Sequence, residues 1–196
     1  TIHKYHINRL VSSKEATQEE TNIELEISKK LKILNIGIDL YWGNTLFHVR
    51  DLPFQIHYLP KTFEDFQEKT KTQWKIRELF ECPTSLGKNL IQEKYNVPTL
   101  LELGFEADTE SYIRGGESNA LALLNDFSTK KLESYAENKK YLDNQNYTSR
   151  LSSFLSVGCI SPRTLYFSNP NHENFITSLL DRDYAHFIAL KFGIRL

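Results

Sequence analysis

Three short hydroxyls fall close together at Thr148, Ser149 and Ser152, and Tyr135 adds a phenol upstream of them. A hydroxyl both donates and accepts a hydrogen bond. Together with helix-start N–H groups, such side chains are natural phosphate ligands. The same residues are also natural helix caps, and the residue types alone leave both readings open. Arg150, Arg163 and Arg182 lie in the same half of the chain and suit helix ends or ion pairs. The histidines offer less. His3 and His6 lack carboxylate or cysteine partners at ligand spacing, so no metal is expected there. His48 and His57 read as packing residues between domains. His172 and His186 lie on or beside the last helix without an evident nucleophile. No catalytic residue is assigned.

Composition narrows the class. The 196 residues are enough for one large domain or two small ones, and a hydrophobic share of 40% with 25% charged residues is an ordinary globular balance. A net charge of −1 gives no basic excess of the kind that supports non-specific DNA binding, so DNA is an unlikely partner. Cys82 and Cys159 are far apart and lack CxxC spacing, which reads as reduced thiols in an intracellular compartment. No apolar run approaches the roughly 20 residues a membrane helix needs. The chain contains no methionine, so a processed product or a fragment is expected. Loss of an organellar targeting segment, for a mitochondrion or plastid, is one source of such a chain.

Periodicity supplies the elements around these residues. Ile7–Val11 reads as a short strand. Thr17 to Glu20 has the form of a capping box, and Ile23, Ile27 and Leu31 recur behind it at helical spacing. The apolar alternation from Ile33 to Leu40 reads as a second strand, giving a parallel βαβ unit. Parallel sheets are buried on both faces and usually have more strands. Other protein chains, or further sequence, are therefore expected to complete this sheet. Thr62 to Trp74 can form a charged amphipathic helix through Phe63 and Phe66. Phe80 to Pro98 reads as an irregular linker with a short helix around Lys88–Tyr95. From Gly115 onward the pattern is all helical. One face is Ala120, Leu121, Leu124 and Phe127. A second is Leu151, Phe154 and Leu155, ended by Gly158. Ser161-Pro162 starts another helix, and the broad apolar run from Phe175 to Leu190 forms a long one. Asn146-Tyr147-Thr148 matches a glycosylation acceptor, which is discounted in an apparently intracellular chain.

Four separated motifs then carry a family likeness in one order. Ser13-Lys14-Glu15 leads into Thr17–Asn22. Tyr41-Trp42-Gly43-Asn44-Thr45-Leu46-Phe47-His48 is followed by Asp51-Leu52-Pro53-Phe54. Arg114–Leu121 comes next. Thr148-Ser149-Arg150-Leu151-Ser152 precedes Gly158-Cys159-Ile160-Ser161-Pro162-Arg163 and, later, Leu179–Tyr184. The chain resembles the photolyase/cryptochrome family, and DASH-type cryptochromes in particular, over nearly its whole length. The resemblance implies an α/β domain able to hold an antenna chromophore, followed by a helical domain that holds FAD and docks DNA carrying a pyrimidine dimer. Light-excited reduced flavin then donates an electron to the lesion. Carried over residue by residue, it places Tyr135, Thr148, Ser149 and Ser152 at the flavin phosphates, matches Arg182 to the Arg of the family's Trp-Arg-Asp-Tyr segment and counts it with them in the ancestral flavin site.

The departures shape the functional expectation. Ser178 stands where family members usually have Glu, and Asp181 where they have Trp. Stacking of a base on an aromatic is worth about 1–3 kcal/mol, and a carboxylate facing nucleic acid adds repulsion. DASH members also usually show a Ser-Thr-Lys-Phe-type sequence at Thr148–Leu151. The segments for the isoalloxazine ring, the adenine and the electron-relay tryptophans are expected beyond Leu196, and Trp42 and Trp74 both precede the helical part. The expected architecture is α/β plus α, truncated at both ends. Residues 1–54 form a partial α/β domain, 55–112 an interdomain linker and 113–196 a partial helical FAD-binding-like domain. The expected role is a non-catalytic pseudoenzyme serving as an accessory subunit of a larger complex. No cofactor is then expected, with FAD if the family function is kept. The alternative is an incomplete view of a working DASH-type cryptochrome or photolyase.

Overall fold

The computed structural model describes residues 2, 4–73, 75–85, 96–106, 114–138 and 148–193. The expected helix around Lys88–Tyr95 lies outside the described residues, as do His3, Trp74 and the Asn146-Tyr147 pair of the discounted acceptor.

The βαβ unit is present with shifted edges. Strand β1 is Arg9–Ser13, helix α1 is Gln18–Ile33 and strand β2 is Gly37–Tyr41. The strands pair in parallel with Arg9 opposite Gly37 and Ser13 opposite Tyr41. The second strand starts later than the alternation suggests, because the end of α1 consumes Ile33 and Leu34. Asn35 adopts φ 55°. Its N–H donates to Lys32 O (3.2 Å), and the N–H of Ile36 donates to Leu31 O (3.0 Å). These are the two bonds of a Schellman stop, with Asn at the left-handed position.

The capping box at Thr17 does not form. Thr17 has the extended backbone of an N-cap, but its hydroxyl accepts no helix N–H. Glu24 tethers the entry instead: its carboxylate accepts from Glu15 N–H (2.8 Å) and pairs with Lys14 Nζ (2.5 Å). A charged acceptor one turn further in serves where the box would have.

Past β2, the chain passes through short 3-10 turns at Val49–Asp51 and Ile56–Tyr58 into α2, Phe63–Lys71. The helical part comprises α3 (Glu117–Lys130), α4 (Tyr135–Asn138), α5 (Ser152–Ser156), α6 (Pro162–Ser168) and α7 (Glu173–Phe192). Gly116 caps α3 at φ 98°, a backbone conformation that favours glycine. Ser161 caps α6 by accepting from Thr164 N–H (3.1 Å), with Pro162 at the first helical position as the sequence suggests. Gly158, at φ 73°, closes α5 with a second Schellman stop through Cys159 N–H to Phe154 O (2.8 Å).

One core joins these pieces. Leu46, Phe47, Leu59 and Phe66 from the middle of the chain belong to the same cluster of buried residues as Leu124, Phe127, Leu165, Leu180 and Phe187. Phe66 lies between Tyr184 and Phe187 of α7, at ring-centroid distances of 5.3 and 6.0 Å. Trp42 stacks on Phe187 at 6.3 Å. Aromatic pairs at such distances add about 0.5–1.5 kcal/mol each beyond their buried area. Helix α7 is therefore the spine against which residues 42–66 pack.

Candidate functional site

The sequence-predicted residues fall into separate places: Tyr135 and Arg182 make contacts at α7, and the hydroxyl segment forms the turn before α5. Arg150 turns the backbone at φ 55° between Ser149 and Leu151. Ser149 Oγ accepts from Leu151 N–H (3.4 Å), and Leu151 anchors the segment in the core. Thr148 and Ser149 are half-buried, and Ser152 opens α5 on the exposed side. Tyr135 packs edge-on against Phe127 (5.4 Å) and Phe175 (5.9 Å). Its phenol donates to Ser178 Oγ (3.0 Å), and Ser178 donates to Asn174 O (3.1 Å). The donor set of this side, short hydroxyls on a sharp turn, fits a phosphate chemically. The same Ser149 hydroxyl braces the turn, whereas α5 itself starts after Leu151 without a side-chain cap.

Arg182 faces a different way. Its guanidinium donates to Asn44 O and feels the charges of Asp183 and Glu15, while burial pulls its affinity for a proton down. Asn44 in turn donates to Glu15 (2.6 Å). Arg182 thus serves the junction of α7 with the loop after β2. Asp181 is exposed.

The residue that sequence reasoning missed is Asp183. It is fully buried, and its two carboxylate oxygens accept from Leu46 N–H (2.9 Å) and Phe47 N–H (2.8 Å). Burial pushes the carboxyl up to about 7; the two amides and Arg182 pull the other way. A signal for it was available. Leu179, Leu180 and Phe187 are its neighbours at helical spacing, so the one carboxyl among them sits on the buried face.

Beyond this junction lies a cavity of about 990 Å³, walled by Trp42, Leu46 and His48 on one side and by Arg77, Phe80 and Arg163 on the other. Arg77 holds Asp51 in a two-pronged pair (2.5 and 2.9 Å) that keeps the carboxyl below its usual range. Arg163 lies over the Phe80 ring (5.8 Å) and donates to Glu78 O (3.3 Å). His48 accepts from Arg50 N–H (3.1 Å), and burial, with Arg77 next in effect, depresses its protonation. The histidine therefore helps shape this wall. Among the described residues, no group of three or more His, Cys, Asp or Glu could hold a metal ion, and no helix is long and apolar enough to cross a membrane.

No family model matches the chain. Individual proteins do. It is 34% identical to a protein named cryptochrome DASH from Synechocystis, across 93% of this chain and 41% of that protein. A cryptochrome DASH from Arabidopsis thaliana, named as chloroplastic/mitochondrial, is 30% identical across 92% of this chain and 35% of its own length. The crystal structure of a Synechocystis cryptochrome superposes with a TM-score of 0.85 at 31% identity, covering 98% of this chain and 43% of that one. The chain spans about two fifths of the length of the first curated relatives it matches.

Proposed function

Because this chain belongs to the photolyase/cryptochrome family and matches DASH-type cryptochromes over most of its length, we propose that it works as a segment of a blue-light flavoprotein of that type. The observation that carries this reading is the superposition on a cryptochrome across 98% of the chain, from the βαβ unit through α7. In this reading Thr148, Ser149 and Ser152 hold the phosphates of FAD, and Tyr135 orders the adjoining face of α7 through Ser178. Bound FAD would supply light-driven electron transfer to a pyrimidine dimer. The chain's own residues bind, orient and exclude water. The cavity beside Trp42 and Phe80, edged by Arg163 and His48, suits an aromatic, anionic antenna chromophore. The organellar names of the plant relatives support a proposal of organellar location.

A second reading rests on one observation. By the resemblance, Ser178 and Asp181, which is exposed, replace a Glu and a Trp usual in the family. It makes the protein a non-catalytic accessory subunit whose surfaces engage other chains, including chains that complete the sheet. The experiment that separates the two is an absorption spectrum of the protein in its native state, with released flavin counted per chain. Stoichiometric flavin together with light-dependent repair of dimers in single-stranded DNA is the result expected of the first reading. A chain without flavin overturns it and leaves the second.

A further inference from the structure

The two walls of the 990 Å³ cavity are held in different ways. On the near side, Trp42, Leu46 and His48 belong to a loop tied to α7 by buried hydrogen bonds. On the far side, Arg77, Glu78 and Phe80 come from residues 75–80, which form neither helix nor strand. Among the described residues no backbone–backbone hydrogen bond holds this stretch. Ile76, shortly after α2, packs against the core and fixes one end. Beyond it, side chains carry the contacts. Arg77 grips both carboxylate oxygens of Asp51 (2.5 and 2.9 Å) on the 3-10 turn. Glu78 O accepts from Arg163 (3.3 Å), whose guanidinium also lies over the Phe80 ring (5.8 Å). Phe80 lines the cavity and is still 91% exposed, so little else covers its ring. We propose that residues 77–80 are a strap across the cavity mouth, pivoting at Ile76 and latched by Arg77 on Asp51, and that release of the latch opens the cavity.

The two posts that receive the strap are firmly built. Asp51 ends a turn whose first residue is capped by His48, which accepts from Arg50 N–H (3.1 Å). Arg163 follows Pro162 in α6, whose start is capped by Ser161. The strap itself is lightly held. A two-pronged pair sets its direction, but the Arg77 side chain is 43% exposed, and a partly exposed ion pair is weak and screened by salt. Segments with few buried contacts open at low free energy. A latch of this kind opens and recloses; it does not lock. Arg163 has no carboxylate partner among the described residues and feels the charge of Arg77. An anionic group entering the cavity would meet both guanidiniums, which favours closure of the strap behind it.

As regulation, the strap rests on the proposed reading of the cavity as a chromophore site; as a motion it does not, and its test reads the motion alone. In the full chain carrying Trp74→Phe, Trp42 is the sole tryptophan. It lines the wall opposite the strap, so quenching of its emission by neutral acrylamide reports entry into the cavity. Raising the salt concentration should increase the quenching rate constant of this parent. At low salt, Arg77→Gln and Asp51→Asn should each raise it about two- to fivefold, the change a partly exposed ion pair can carry, with unfolding midpoints near the parent's. The double variant should rise no further, and salt should add nothing in any of the three. A parent whose quenching ignores salt overturns the proposal without recourse to any variant. Single variants that leave quenching unchanged, or whose effects add in the double, overturn it as well. Absence of a chromophore from the native protein overturns the reading of the cavity and leaves the strap standing.

Discussion

Helices α1 and α7 are both long and both carry apolar residues at helical spacing, yet they meet different surroundings. On α1 only Leu31 is buried, while Ile23 and Ile33 stay 60% and 82% exposed. On α7 Phe175, Leu179, Leu180, Asp183, Tyr184 and Phe187 are all buried. The difference lies in what faces each helix. Among the described residues a two-stranded sheet offers α1 little to pack against, whereas α7 has α2, α4, α6 and the loop after β2 around it. Spacing alone makes a helix, and burial then depends on the opposing surface.

The sharpest way to break this comparison is to truncate the core side of α7. Phe66→Ala, at a ring with no exposure, should cost about 3–5 kcal/mol in denaturant unfolding. A loss under 1 kcal/mol would mean that α2 does not share a core with α7. Asp183→Ala leaves two buried amides without an acceptor and should cost about 2 kcal/mol or more, with the loss concentrated in the exchange rates of Leu46 and Phe47. A smaller effect comes from Ser161→Ala, which removes the cap of α6: about 1 kcal/mol, read from the shift in the unfolding midpoint. Smallest of all is Ile33→Ser on α1, expected to stay within about 0.5 kcal/mol. If Ile33→Ser rivals Phe66→Ala, the contrast between the two helices is wrong.

The sequence made some of this legible and hid the rest for physical reasons. The βαβ order followed from alternation and helical spacing, and Ser161-Pro162 announced its helix, because such signals are local. The edges of β2 were misplaced because a stop built on Asn35 looks like strand sequence until the two hydrogen bonds are seen. Asp183 is silent in the sequence because its partners, Leu46 and Phe47, lie far away in the chain. Arg182 likewise reaches a distant partner, Asn44 O. No short-range pattern encodes either contact.

The sequence separation of that junction also bears on how the chain is assembled. Asp183 lies 137 residues after Leu46 and 136 after Phe47, and Lys191 reaches Leu59 O across 132. A ribosome extending the chain at roughly 5–20 residues per second exposes Leu46, Phe47 and Phe66 well before α7 emerges to cover them. Throughout that interval the nascent chain carries a sticky aromatic surface, so factors that shield nascent chains should matter for its yield.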